Sequence, residues 1–456
     1  MAKDNYYQNL VKPYQEEMMK SLKELIAIDS TYDESTRDKE NPFGKGVSKA
    51  LQYITEMAKK DGFIVNNYDN MVVEILTNEL EPNITIMAHT DVVPVGTGWP
   101  QDPFALTEKG DDLYARGVAD DKGPLLSCYY GLKALRDNGL LGNYQVRFLV
   151  GGNEERGSLC MEHYFQTLKK KQPTYGFSPD SAYPLTYAEK GILGFVVKGK
   201  IDLPQVISMN GGVAFNSVIE KCEVVLKEDL DLVSYLNDRE VDYSYIIKGE
   251  QMVLTFNGLA AHGSVPWMGK NAAMIAIKHL GDYYKNAELK ELYKLYGPTR
   301  GEGVNAAANS EDMGTNSLNV GLFSLENGKF EMTVNYRHVE TVTAEQMVSN
   351  IKEASKPFEI EVTSVSKLLY YPKDCKLITT LLRVYQEETG DYQTPIIASG
   401  GGTYAKEADN VVAFGMEYPG HDPHMHGVNE TTKKSYLFES MGIYAHAIIE
   451  LGKLIK

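Results

Sequence analysis

The sequence predicts an α/β fold in which a mainly parallel, helix-covered sheet forms one domain, interrupted by an inserted two-layer α+β domain. Three observations predict it. Short apolar strand-type runs alternate with helix-period segments over residues 1–188; strands with polar alternation take over across 189–366; the α/β pattern then resumes over 367–456. These ranges are the expected domain boundaries.

Each element follows from its own pattern. Val47, Leu51, Ile54 and Ala58 recur at helical spacing, and Asp61-Gly62 closes that helix. Residues 71–76 and 84–88 are short apolar runs of strand type. A helix is expected at 124–136, a strand at 144–150, a helix at 159–170 and a strand at 175–177. Inside the insertion, residues 251–257 and 329–336 alternate as strands, while 272–284 and 343–355 read as helices. Asn327-Gly328 suits a tight hairpin turn. After the insertion come a helix at 377–388, strands at 395–398 and 411–416, and a last helix carrying Leu437, Met441, Tyr444, Ile448 and Leu451.

Composition narrows the function classes. At roughly 150 residues per domain, 456 residues suggest two or three domains. Apolar residues make up 43% and charged residues 24%, an ordinary globular balance. Lys plus Arg total 46 against 62 Asp plus Glu, a formal charge of −16. That balance disfavours a nucleic-acid partner and an anionic membrane surface, both of which need clustered cations. Cys128, Cys160, Cys222 and Cys375 lie far apart without paired spacing, so they read as buried thiols of a reducing compartment. No run approaches the ~20 apolar residues of a membrane span, and the N-terminal run lacks the apolar segment of a secretory signal. A cytoplasmic protein is expected.

Five segments place ionisable or glycine-rich residues just after expected strands: His89-Thr90-Asp91, residues 115–123, Gly152-Asn153-Glu154-Glu155, Ser178-Pro179-Asp180 and residues 421–430. In open α/β sheets ligands bind beyond the carboxyl ends of the strands, so distant segments can converge there. Imidazoles mixed with carboxylates, without paired thiolates, favour Zn²⁺, Mn²⁺ or Co²⁺ over a structural thiolate zinc. Asp91, two residues beyond His89, is placed to accept a hydrogen bond from that ring and fix its tautomer. Glu154 and Glu155 point to opposite sides of an extended chain, so one can ligate metal while the other faces a water.

Taken in order, these five motifs resemble those of the di-metal peptidase family that contains carnosinases, aminoacylases and succinyl-diaminopimelate desuccinylases. The long insertion, with residues 211–216 and 399–404, is most similar to bacterial peptidase V-type dipeptidases. The resemblance implies two divalent ions, Zn²⁺ or Mn²⁺ with Co²⁺ admissible. Asp120 would bridge them, His89 and Asp180 would complete one, and Glu155 and His426 the other. It further implies a metal-bridging hydroxide, Glu154 as general base, Asp91 as the orienter of His89, and a cis Asp120–Asp121 bond.

The insertion adds candidates. His262 reads equally well as a loop or core histidine, and the resemblance implies a reach to the oxyanion. Arg337 is an ordinary strand arginine on its own, and the resemblance implies a fork for the substrate carboxylate. Asn216 is a third candidate for substrate contact. The backbone N–H groups of Gly401 and Gly402 either receive that carboxylate or serve plain turn chemistry. His421 and His424 read as loop histidines, and Trp99 and Trp267 as packing residues. The function expected is a metal-dependent dipeptidase acting on unmodified dipeptides, β-alanyl dipeptides such as carnosine included. The alternative is an N-acyl amino-acid deacylase or succinyl-diaminopimelate desuccinylase. A dipeptide or acyl-amino-acid substrate and a monomer whose insertion opens and closes about two hinges complete the expectation.

Overall fold

The computed structural model describes residues 5–455; residues 1–4 and 456, the outermost ends of the expected catalytic segments, lie outside them. The chain divides into two compact units. One comprises the chain up to Ala188, Leu369–Ile397 and everything from Thr403 onward; the other is Glu189–Leu368 with Ala398–Gly402.

In the first unit, four adjacent strands run parallel in the order Gln145–Gly151, Asn83–His89, Tyr175–Ser178, Val411–Ala413. Antiparallel strands Val72–Leu76 and Ile64–Tyr68 extend the sheet beyond Gln145–Gly151. Asn83–His89 is buried along its whole length, and it carries apolar residues on both faces, Ile84, Ile86 and Ala88 on one and Met87 on the other. Helices Lys122–Asp137 and Lys434–Leu454 pack together, although hundreds of residues separate them. Gly131 permits their close approach, since a Cβ there would sit 2.7 Å from the Met441 carbonyl oxygen. Ser127 Oγ donates across the same contact to the Leu437 carbonyl at 3.1 Å. The opening and closing segments of the chain therefore share one core.

Two expected elements differ. The helix expected at 159–170 is α-helical only over Leu159–Glu162 and continues as a π-helical turn, His163–Thr167, before Lys169 turns left-handed at φ 52°. The strand expected at 411–416 is split into Val411–Ala413 and Met416–Glu417 because Gly415, at φ 81°, breaks the extended path.

The second unit holds an eight-stranded antiparallel sheet. Its order is Tyr243–Lys248, Gln251–Asn257, Lys221–Lys227, Val206–Gly211, Ser317–Glu326, Lys329–His338, Gly191–Lys200, Glu359–Ser366. Lys221–Lys227 and Gln251–Asn257 bury alternate residues, so one face meets a core. Val224, Leu254 and Met332 share that core with Ile277, Leu292 and Ile351 from the helices. The turn at Asn327 (φ 51°) and Gly328 (φ 73°) has two successive left-handed residues, as a type I′ hairpin requires. Besides the two helices expected here, Leu230–Asn237 and Ala287–Tyr296 form, capped by Asp229 and Asn286 side chains that accept from the Leu232 and Leu289 N–H groups. Residues 398–402, placed by the sequence reading in the last segment, group with this unit: Lys190 N–H donates to the Ser399 carbonyl at 3.1 Å, and Arg337 donates to the Gly400 carbonyl. Among the described residues no helix is long and apolar enough to cross a membrane.

Candidate metal centre

The carboxyl ends of three neighbouring parallel strands build the centre. His89 ends Asn83–His89, Glu154 and Glu155 follow Gln145–Gly151, and Asp180 follows Tyr175–Ser178. Two donor groups result, each with ligand atoms within 4.8 Å of one another: His89, Asp120 and Asp180, and Asp120, Glu155 and His426. Asp120 belongs to both. Its Oδ1 lies 3.1 Å from His89 Nε2 and its Oδ2 lies 3.0 Å from His426 Nε2. His426 Nε2 is also 3.3 Å from Glu155, and His89 Nε2 is 3.8 Å from Asp180.

The surrounding backbone explains why Asp120 sits between two imidazoles. The Asp120–Asp121 peptide is cis. Asp121 turns away and accepts the His89 N–H at 3.0 Å. Glu430, fully buried, accepts the Ala119 and Asp120 N–H groups at 2.9 and 3.1 Å with one oxygen. Its other oxygen accepts the Gly117 N–H at 3.0 Å and Arg116 Nη1 at 2.7 Å. Arg116 also donates to the Gly427 carbonyl at 2.9 Å, next to His426. One ion pair thus fixes both the Asp120 loop and the His426 loop.

Asp91 meets the His89 ring with both its backbone and its side chain. His89 Nδ1 contacts the Asp91 backbone carbonyl at 2.9 Å, with the carboxylate farther off at 3.4 Å. The two Asp91 oxygens also accept the Glu154 and Glu155 N–H groups, each at 3.1 Å. The backbone carbonyl is the nearer acceptor for the ring, while the carboxylate also shapes the turn that presents both glutamates. Tyr404, missed by the sequence reading, completes this support. Its buried hydroxyl accepts the Asn153 N–H at 3.4 Å and hydrogen-bonds Cys160 Sγ at 2.9 Å. No spacing signal points to it.

The electrostatics are those of a cluster short of positive charge. Burial pushes Glu155 up to about 7, with the Asp120 charge adding to the effect. Burial likewise pushes Glu154 and Asp180 well above the usual carboxylate range, reinforced by neighbouring carboxylates. Burial opposes the Asp120 charge as well, but hydrogen bonds from His426 and His89 hold this carboxyl low. Hydrogen bonds to Asp120 and Glu155 raise His426 to about 11. Glu155 Oε1 is buried without a hydrogen-bond partner. An unpaired buried carboxylate oxygen among crowded acids is costly unless a cation meets it. Two imidazoles and three carboxylates, without thiolate, are the donors that Zn²⁺, Mn²⁺ and Co²⁺ accept. The residues fit such ions.

The other expected residues lie in the second unit. The loop with Asn216 and the loop with His262 are knitted together: Gly263 N–H donates to the Asn216 carbonyl at 2.7 Å and Val218 N–H to the Ala261 carbonyl at 2.9 Å. Asn319 holds the first loop from behind, its Nδ2 donating to the Phe215 and Ser217 carbonyls at 3.2 and 3.0 Å. His262 Nδ1 pairs with Ser264 Oγ at 2.7 Å. Arg337 is buried, with Nε donating to Asn335 Oδ1 at 3.0 Å. Burial lowers it to about 10, so it stays a cation at neutral pH. Gly401 N–H donates to Ser399 Oγ at 2.9 Å, which commits it to the turn. Among the described residues His421 and His424 belong to neither donor group; the His421 ring packs edge-on against Tyr436. Trp99 packs under Arg116, its Nε1 donating to the Val95 carbonyl at 2.6 Å. All four cysteines are free thiols.

Known proteins are similar to this chain in sequence and in fold. YtjP of Bacillus subtilis (strain 168), provisionally named a dipeptidase, is 32% identical over 461 residues, covering 96% of this chain and 98% of its own. SH1171 of Staphylococcus haemolyticus (strain JCSC1435), named in the same provisional way, is 31% identical over 465 residues, covering 97% and 98%. The solved M20 family metallo-carboxypeptidase Sso-CP2 from Sulfolobus solfataricus superposes with a TM-score of 0.61 at 17% identity, over 96% of this chain and 99% of its own, and so shares the fold. Residues 85–450, a span that takes in every donor of the two clusters, match the family described as Peptidase family M20/M25/M40, and the chain belongs to that family.

Proposed function

We propose that this peptidase hydrolyses unmodified dipeptides at a dinuclear centre of Zn²⁺ or Mn²⁺ held by His89, Asp180, Asp120, Glu155 and His426. The observation that carries the reading is the sharing of Asp120 by two histidine–carboxylate groups, with a buried glutamate oxygen left unpartnered beside it. Divalent ions there would supply Lewis-acid polarisation of the scissile carbonyl and of a water.

Protein groups do the rest. Glu154 is the general base: it takes the water's proton at its carboxylate and delivers it to the leaving amine. Burial raises its affinity for a proton above that of an ordinary carboxylate, which strengthens it as a base. Asp91 holds Glu154 and Glu155 in register through their N–H groups. Arg337, its guanidinium plane set by Asn335 and the Gly400 carbonyl, binds the substrate's C-terminal carboxylate, aided by Gly402. Because Gly401 N–H is engaged by Ser399, its part is to shape the turn. His262 donates to the oxyanion, and Asn216, on the loop knitted to it, steadies the same oxygen. The chain carries a candidate for each role, and the reading takes a monomer as the working unit.

The test is metal-reconstituted hydrolysis of a dipeptide panel, β-alanyl-histidine included, with matched N-acetyl, N-succinyl and tripeptide controls. Turnover of free dipeptides and refusal of their N-acylated forms is the expected result. Faster hydrolysis of N-succinyl-diaminopimelate than of any dipeptide would replace this reading with a desuccinylase.

A further inference from the structure

Selecting unmodified dipeptides over their N-acylated forms requires a group that meets the free α-ammonium. We propose that Glu417 is that group, a specificity-determining carboxylate at the rim of the metal centre. The choice of ligand rests on the dipeptidase reading; the choice of residue rests on where Glu417 lies and on what it lacks.

Backbone pairing puts Glu417 beside the centre. The short strand Met416–Glu417 runs parallel to Ser181–Ala182, with Glu417 opposite Ala182, two residues beyond the donor Asp180. Tyr183 N–H donates to the Glu417 carbonyl at 2.8 Å, and the chain runs on from there into the loop that carries His426. Met416 and Tyr418 are buried on either side, while Glu417, facing the other way, is only partly so. Its side chain belongs to neither donor group. Among the described residues it has no hydrogen-bond or ion-pair partner, and neither oxygen is sealed from solvent. Burial raises its affinity for a proton, and the Asp120 and Asp422 charges add to the effect, which places the carboxylate within electrostatic reach of the shared donor.

The acids around it are committed. Asp91, Asp121 and Glu430 accept backbone N–H groups, and Asp422 accepts the His424 N–H at 2.9 Å. The second Asp121 oxygen is sealed from solvent, so no substrate meets it. The remaining carboxylates are the donors themselves and Glu154, the base. A carboxylate only accepts hydrogen bonds and an ammonium only donates them, so the two match. The α-ammonium stands two bonds from the scissile carbonyl carbon, and a carbonyl held at the metals brings it to the edge of the centre. Acylation removes both its charge and all but one of its donors, and leaves Glu417 desolvated without a counter-ion.

Binding is measured by calorimetry in the metal-loaded Glu154→Gln protein, in which turnover is slowed. L-leucyl-L-leucine should bind about 10–100-fold more tightly than N-acetyl-L-leucyl-L-leucine, the span of one charge-assisted hydrogen bond. Adding Glu417→Gln should erase that preference by weakening the free dipeptide alone. Both metal ions and the melting temperature should be retained, because Glu417 ligates nothing and an amide relieves the crowding of acids. In the protein with Glu154 intact, Glu417→Gln should raise KM for L-leucyl-L-leucine by the same factor and leave kcat nearly unchanged, as loss of uniform binding does.

A preference for the free dipeptide that survives Glu417→Gln overturns the proposal. So does equal binding of the two ligands before that change, no binding of L-leucyl-L-leucine up to about 10 mM, ten times a 1 mM Kd, or loss of a metal ion with the variant. Wild-type protein inert toward dipeptides that its Glu154→Gln form binds with this preference would sink the dipeptidase reading alone. Dipeptide turnover with a preference indifferent to Glu417 would sink the assignment of Glu417 alone.

Discussion

Glu430 and Arg116 form a fully buried ion pair at 2.7 Å whose carboxylate also accepts three backbone N–H groups from the loop that presents Asp120. The pair joins residues 314 positions apart, and both His426 and Asp120 hang from it. Asp120 therefore reaches two imidazoles through the packing of the chain's last segment on its first.

Glu430→Gln tests that dependence. The amide keeps the shape but sets two N–H donors against backbone N–H groups and leaves the Arg116 cation unpaired. Breaking a buried pair in this way costs about 3–5 kcal/mol. Urea unfolding of the metal-loaded protein should show that loss, and the variant should retain less metal after dialysis. A loss below about 1 kcal/mol would mean that other contacts hold the Asp120 loop.

Glu154→Gln separates the two adjacent glutamates. Turnover should fall about 10²–10⁴-fold, the share a general base contributes, with metal content nearly unchanged. Glu155→Ala should instead lose metal together with activity. Loss of both ions in Glu154→Gln would reverse the two assignments.

These predictions also mark what the residues disclosed before any geometry. The donors were legible because metal chemistry restricts the residue types, and because parallel strands bring their carboxyl ends to one edge. Glu430 was legible only as part of a motif; its four hydrogen-bond donors come from a loop more than 300 residues away. Spacing put Asp91 beside the His89 ring but could not show that its carboxylate also accepts two backbone N–H groups. In the second unit, strands such as Val206–Gly211 and helix Ala287–Tyr296 went unread, since they owe their burial to a sheet and core assembled from distant segments.

Removing metal should weaken the protein as well as silence it. Burial and mutual repulsion already raise Glu154, Glu155 and Asp180, so cations relieve a cluster that is costly without them. Thermal unfolding with and without chelator should differ, and Zn²⁺ or Mn²⁺ at 100 times its Kd should add about 2.7 kcal/mol to the folded state. Activity should return with the same addition. An unchanged melting temperature together with undiminished activity in chelator would remove the metal from the reaction.

The final prediction concerns Asn319, which touches the carbonyls on both sides of Asn216 and, through that loop, the backbone next to His262. Asn319→Asp keeps size and shape but replaces the amide donor with an oxygen facing two carbonyls. Displacing a positioned group by about 1 Å costs on the order of 100-fold, so kcat should fall by about that factor. Metal content should stay at two ions, because neither donor cluster draws on this unit. Asn319→Gln should not rescue, as its longer side chain cannot place Nδ2's two bonds. Full activity in Asn319→Asp would show that the Asn216 loop needs no support from behind, and would withdraw Asn216 from the reaction.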